Sequence, residues 1–206
     1  MATKKAKNSD AWFDAFKSMN ANTIKASLQK ALADGADVNA RSAIGQTALF
    51  HALWYPPVVA LLLDAGIDVN ATDEEGQTAL IAIVDSATGS NKHYLESVKL
   101  LLRRGAAIDI QDKSGKTALY LAVQMGLDPY VKLLLEARAN CKLSPKGGLN
   151  ILQRAVEGHL EASSKKALTL LLKSPMLDRG HIAAAKAAAE KKGWSAIGKL
   201  RVSAEE

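Results

Sequence analysis

The sequence predicts an all-α solenoid, a stack of helix pairs connected by β-turns. Three observations predict it. The phrase Gly45-Gln46-Thr47-Ala48-Leu49 recurs as Gly76-Gln77-Thr78-Ala79-Leu80 and Gly115-Lys116-Thr117-Ala118-Leu119, then in degraded form as Gly148-Leu149-Asn150-Ile151-Leu152, at spacings of 31, 39 and 33 residues. A leucine triplet runs in phase with it, at Leu61-Leu62-Leu63, Leu100-Leu101-Leu102 and Leu133-Leu134-Leu135. A third phrase follows, as Asp37-Val38-Asn39-Ala40, Asp68-Val69-Asn70-Ala71 and Ile108-Asp109-Ile110-Gln111. Self-similarity at a fixed period of about 20–50 residues marks an architecture in which each unit buries its apolar face against its neighbours.

Each phrase has a physical task. Thr47, Thr78 and Thr117 stand where a first helix begins, and a threonine hydroxyl there accepts a hydrogen bond from the first free backbone N–H groups. The glycine ahead of each supplies turn angles that side chains resist. The leucine triplets close a second helix. Gly35, Gly66 and Gly105 come just after, where a left-handed residue ends a helix at little cost. The Asp-Val-Asn-Ala stretch is predicted to run extended into the next turn.

Taken in order, residues 9–19 and 21–33 predict two helices of an N-terminal capping unit, residues 1–40. Trp12, Phe13 and Phe16 form an apolar stripe at helical spacing that belongs to the core. Residues 41–178 hold four central repeats. Pro56-Pro57 starts the second helix of the first, which is shortened. The second repeat is longer, 27 residues from Thr78 to Gly105 against 21 from Thr117 to Arg138, with its surplus at residues 86–93 between the helices. A similar surplus lies near residues 159–166. Insertions in such stacks map to one edge and can carry function, though loop drift alone also accounts for them. Residues 179–206 form the C-terminal cap, opening with the helix-forming run from Ile182 to Lys192.

These phrases resemble the ankyrin repeat, a β-turn plus two helices with the signature T-P-L-H-x-A at a period of about 33 residues. The resemblance spans residues 20–175. Ala48, Ala79 and Ala118 stand in place of the signature proline. Phe50, Ile81, Tyr120 and Gln153 stand in place of its histidine, so apolar packing substitutes for the loop-bracing bond of that histidine in three of four repeats. Partners of this family dock on turn tips and on the exposed side of each first helix. The resemblance therefore implies docking residues at the tips Arg41, Ile44, Asp73, Glu74, Glu75 and Lys113, and at the helix positions Trp54, Tyr55, Asp85, Gln124 and Met125. Trp54 and Tyr55 admit three readings, as partner anchors, as packing against the Pro56-Pro57 joint, or as packing against the inserted loop of the neighbouring repeat near His93 and Tyr94.

Composition bounds the alternatives. Hydrophobic residues make up 48% of the 206-residue chain and charged residues 23%, ordinary for a folded chain. The basic start of the chain is not followed by an apolar run, so no secretory signal is expected. The lone Cys141 excludes an internal disulfide and fits a reducing, cytoplasmic setting. His51, His93, His159 and His181 are isolated in sequence, and no HExxH, Walker-type, GxSxG or dinucleotide-binding pattern occurs. No catalytic, cofactor or metal residue is therefore assigned, and an enzyme is the weakest reading. The net charge of +6 sits in residues 141–206, which hold 12 basic and 6 acidic groups. That end could draw an acidic partner or nucleic acid, the alternative reading, though it lacks interleaved aromatics and any reader motif. The leading expectation is a monomer that binds another protein, as adaptor or inhibitor, through a concave face of stacked repeats.

Overall fold

A computed structural model describes residues 15–17, 20–87, 91–157, 161–173, 177–191 and 193, the side chains of 161–165 excepted. Trp12 and Phe13 of the predicted apolar stripe lie outside the described residues, as do residues 194–206, 88–90 and 158–160 of the segments singled out above. The described residues are helical, with one isolated bridge between Thr72 and Thr78. The chain divides into two compact units, Met1–Ala107 and Ile108–Glu206.

In the first unit, α1 (Ala21–Ala33) precedes the pair α2 (Ala48–Ala52) and α3 (Pro56–Asp64), then the pair α4 (Ala79–Asp85) and α5 (Lys92–Arg103). First helices pack on first helices, α2 on α4, and second on second, α3 on α5, with α1 against α3. In the second unit the pairs are α6 (Ala118–Gln124) with α7 (Asp128–Glu136) and α8 (Ile151–Val156) with α9 (Glu161–Leu172), followed by α10 (Arg179–Lys191). The same order holds there, α6 on α8, α7 on α9 and α10 on α8. Helices of 5 to 7 residues, such as α2, α4 and α6, are too short to persist alone. Packing of their apolar faces sustains them.

The first helices start as the repeated threonines dictate, with one exception. Thr78 Oγ1 accepts from Ile81 N–H at 3.3 Å and Thr117 Oγ1 from Tyr120 N–H at 3.1 Å. In the fourth repeat Asn150 Oδ1 accepts from Gln153 N–H while Gln153 Oε1 accepts from Asn150 N–H, a reciprocal cap. The degraded repeat thus closes its helix more completely than the regular ones. Thr47 has the extended backbone of a cap, yet its buried hydroxyl has no partner. The expected cap at Thr47 is absent, and the Phe50 N–H donates instead to the Thr47 carbonyl at 3.1 Å.

Second helices end alike. Ile67 N–H bonds Leu62 O, Ala106 N–H bonds Leu101 O and Ala139 N–H bonds Leu134 O, each at 3.0–3.1 Å. Each is the six-to-one closure of a Schellman motif, which requires a left-handed residue between. Gly66 (φ 83°) and Gly105 (φ 84°) fill that slot, and in the third repeat Arg138 fills it at φ 65°. Only the middle leucine of each triplet is fully buried, Leu62, Leu101 and Leu134, and the flanking leucines are half-buried.

The Asp-Val-Asn-Ala stretch is not extended as expected. Asp37 and Asp68 carboxylates accept from Asn39 and Asn70 N–H at 2.9 Å, and Ala40 and Ala71 N–H return to the Asp37 and Asp68 carbonyls. Aspartate bonds its own backbone two residues on and bends the chain into a turn. The freed asparagine side chains then tie repeats together. Asn39 Oδ1 accepts from Asp68 N–H at 2.7 Å and Asn70 Oδ1 from Ala107 N–H at 2.7 Å in the first unit. Asp109 Oδ1 accepts from Asn140 N–H at 2.8 Å in the second.

Candidate functional site

The turn tips are four-residue turns closed by Gly45 N–H to Ser42 O, Gly76 N–H to Asp73 O, Gly115 N–H to Asp112 O and Gly148 N–H to Pro145 O. In the first three, the polar residue that opens the turn also accepts from the residue after the glycine: Ser42 from Gln46, Asp73 from Gln77 and Asp112 from Lys116. Pro145 has no such acceptor. There the left-handed residue moves to Gly147 (φ 69°), and Gly148, the counterpart of Gly45 by register, is not left-handed. This is the glycine requirement of a type II turn. Gly45 is needed twice over: φ is 75°, and a Cβ there would lie 3.1 Å from the Glu74 backbone nitrogen of the next tip.

Several predicted tip residues brace the scaffold. Arg41 Nη1 donates to Gly45 O at 2.9 Å and to Thr72 O at 2.6 Å, linking two tips. Gln111, four residues before Gly115, repeats the device toward Gly115 O and Ser144 O. Asp73 accepts from Glu75 and Gln77 N–H and from Gln46 Nε2. The side chains left facing solvent are Ile44, Glu74, Glu75 and Lys113.

The first-helix positions lie at the opposite end of each short helix. Trp54 follows α2 and is 43% exposed; Tyr55 begins the joint to α3 and is half-buried. Trp54 is covered in part by the next repeat. The Tyr94 ring meets it edge-on at 4.9 Å and 88°, and the His93 ring lies 6.1 Å away. Burial pushes the Tyr94 phenol pKa up. Asn91 caps α5 at this point, and buried Ser97 donates to Leu53 O at 2.8 Å, fixing the middle of α5 against the residue that follows α2. Asp85 is exposed at the end of α4. In the second unit Gln124 is half-buried and Met125 is 40% exposed just past α6.

A family model described as ankyrin repeats (3 copies) matches residues 83–181. Residues 83–181 of the chain are ankyrin repeats. No curated protein matches it. Ankyrin repeats generally mediate protein–protein interaction and are typically binding modules rather than enzymes. Among the described residues, no group of three His, Cys, Asp or Glu is arranged to hold a metal ion, and no helix is long and apolar enough to cross a membrane.

The ankyrin signature histidine is replaced in two ways. Phe50, Ile81 and Tyr120 are buried in its slot, while Gln153 supplies a polar bond back to its own cap. Sequence reading missed the two bracing rows, Arg41 with Gln111 and Asn39 with Asn70 and Asp109. The signal for the second was present in the repeated Asp-Val-Asn phrase.

Proposed function

We propose that this ankyrin-repeat protein is an adaptor or inhibitor that binds another protein through the turn tips and first-helix ends of its repeats. One observation carries the reading. The large hydrophobic side chains left exposed among the described residues are Ile44 at 54%, Trp54 at 43% and Met125 at 40%. All three occupy positions where ankyrin repeats dock partners. Isolated exposed apolar groups are ordinary, but their coincidence with docking positions is not what random surface placement gives. Ile44 supplies an apolar tip beside the carboxylates of Glu74 and Glu75. Trp54 supplies a large aromatic held by Tyr94, with little side-chain entropy left to lose on binding. The protein acts in this reading as a cytoplasmic monomer with no chemistry of its own.

The test is capture of the native partner from host extract, followed by affinity measurement with purified components. Ile44→Asp touches no core and should keep the melting temperature. It should weaken binding by about tenfold, or ~1.4 kcal/mol. The Trp54→Ala/Tyr55→Ala double variant should lose at least as much affinity, with a modest loss of stability from the missing Trp54–Tyr94 pair. Full-strength binding by both variants removes this surface from the interaction.

A further inference from the structure

The middle of the chain, residues 41–140, carries 9 basic and 11 acidic groups, yet four of the nine cations crowd onto one helix and its end: Lys92, Lys99, Arg103 and Arg104. Arg104 has an ordinary structural role, because its Nη2 pairs with Asp64 Oδ1 at 2.6 Å. Among the described residues no carboxylate pairs with Lys92, Lys99 or Arg103. These three line an open groove of about 470 Å³ along α5, together with Leu95, Glu96 and Leu100. The four charged residues are exposed and the two leucines half-buried. At 100° per residue the charges run down the centre of the outer face, with Leu95 on one flank and Leu100 on the other, opposite the buried Ser97, Val98 and Leu101.

The placement of Lys92 is unfavourable to folding. It is the first residue of α5, and the first turn holds no acidic residue. A cation at that end opposes the helix dipole, whereas Arg103 at the other end is favoured by it. A residue set against local stability in an otherwise regular helix points to a role outside the fold.

We propose that the outer face of α5 is a second docking surface, distinct from the tips and first-helix ends, and that its occupant is an acidic amphipathic helix of a partner protein. The spacing selects that occupant. Lys92, Lys99 and Arg103 are separated along the axis by roughly 10 and 6 Å, at 1.5 Å per residue. Carboxylates seven and four residues apart on a helix lying alongside have the same rise. Leu95 and Leu100 offer that helix apolar contact on both sides of the charged row, the inverse of a coiled-coil seam, where charges flank an apolar stripe. A nucleic-acid strand fits less well, because its charged backbone offers no aliphatic contact to Leu95 and Leu100.

The experiment is selection of helical peptides on the intact protein, from a displayed library of about 16-residue sequences in which each position is Ala, Glu, Lys or Leu, long enough for the three turns of α5. The selected pool should be rich in Glu at spacings of four and seven, with Leu beside them. Lys92→Glu should weaken the best peptide about tenfold while the melting temperature holds or rises, since an acid at the helix start is favoured there. Lys99→Gln, in the middle of the helix, is the second variant and should weaken it less. Ile44→Asp should leave peptide affinity unchanged, which separates this surface from the one proposed above. A pool without Glu enrichment, or peptides that bind the Lys92→Glu/Lys99→Glu/Arg103→Glu variant undiminished, overturns the proposal. So does a single-stranded oligonucleotide or an anionic phospholipid vesicle that binds more tightly than the best peptide and is lost on the same charge reversal.

Discussion

Arg138 is the clearest place where this protein carries strain that the sequence alone exposes. Its counterparts Gly66 and Gly105 are left-handed glycines, and it holds φ 65° in the same Schellman closure, sealed by Ala139 N–H to Leu134 O at 3.0 Å. A residue with a Cβ in that region is strained by roughly 1–2 kcal/mol relative to glycine. Replacing it by glycine loosens the unfolded chain, which offsets about 0.4–1 kcal/mol. It also removes a cation from the C-terminal end of α7, and an exposed charge there contributes about 0.3 kcal/mol. The balance is a stabilisation of about 0.5 kcal/mol for Arg138→Gly, or ~1–2 °C in melting temperature for a chain of this size. The contribution of the backbone is isolated by Arg138→Ala, which loses the charge and keeps the strained angle. Urea denaturation should rank Arg138→Gly above Arg138→Ala by about 1 kcal/mol. The reverse substitution provides a second check. A Cβ on Gly105 would meet nothing within 4 Å, so Gly105→Ala should cost about 1 kcal/mol through the angle alone. An Arg138→Gly midpoint at or below that of Arg138→Ala would refute the reasoning and show that this joint is held by the arginine side chain.

Leu101→Ala empties a fully buried site in α5 and should destabilise by about 2–5 kcal/mol in chemical denaturation. The threonine slot gives opposite results at two positions. Thr47→Val should be neutral or stabilising, since it removes a buried hydroxyl without a partner, while Thr117→Val loses the cap on Tyr120 N–H and should cost about 1 kcal/mol. Asp178 accepts from the His181 ring at 2.6 Å and from the His181 backbone N–H, and these bonds hold its carboxyl at about 2, below the usual 3.8. A depressed carboxyl stabilises the fold above its unfolded pKa, and that contribution fades as pH falls from about 4 through 2. Denaturation midpoints across that range should fall less steeply for Asp178→Asn, which keeps the cap on α10 and cannot ionise.

Much of the fold was legible because the repeat is a local device. Glycine before the threonine, leucines at helical spacing and glycine after them each fix backbone angles within a few residues, so helix starts and stops followed from the phrases. The deviation at Arg138 was legible for the same reason, by comparison with Gly35, Gly66 and Gly105. The exposed tip at Ile44 and the exposed helix end at Met125 also followed, because register alone sets which side of a short helix faces outward.

Contacts between repeats were not legible, since a sequence shows which side chain stands at a position and not which neighbour comes within bonding distance. Asn39 and Asn70 read as parts of a stretch running extended into the next turn, and tertiary structure made them ties to the next repeat. Arg41 and Asp73 read as docking residues at the tips, and stacking of adjacent tips made them braces. Thr47 carries the same residue as Thr78 and Thr117, yet packing leaves its hydroxyl unbonded. Trp54 had three readings in sequence, partner anchor, packing at the proline joint, or packing against the neighbouring repeat near His93 and Tyr94. Only the approach of α5 decided that Tyr94 and His93 cover one part of it and leave the rest to solvent.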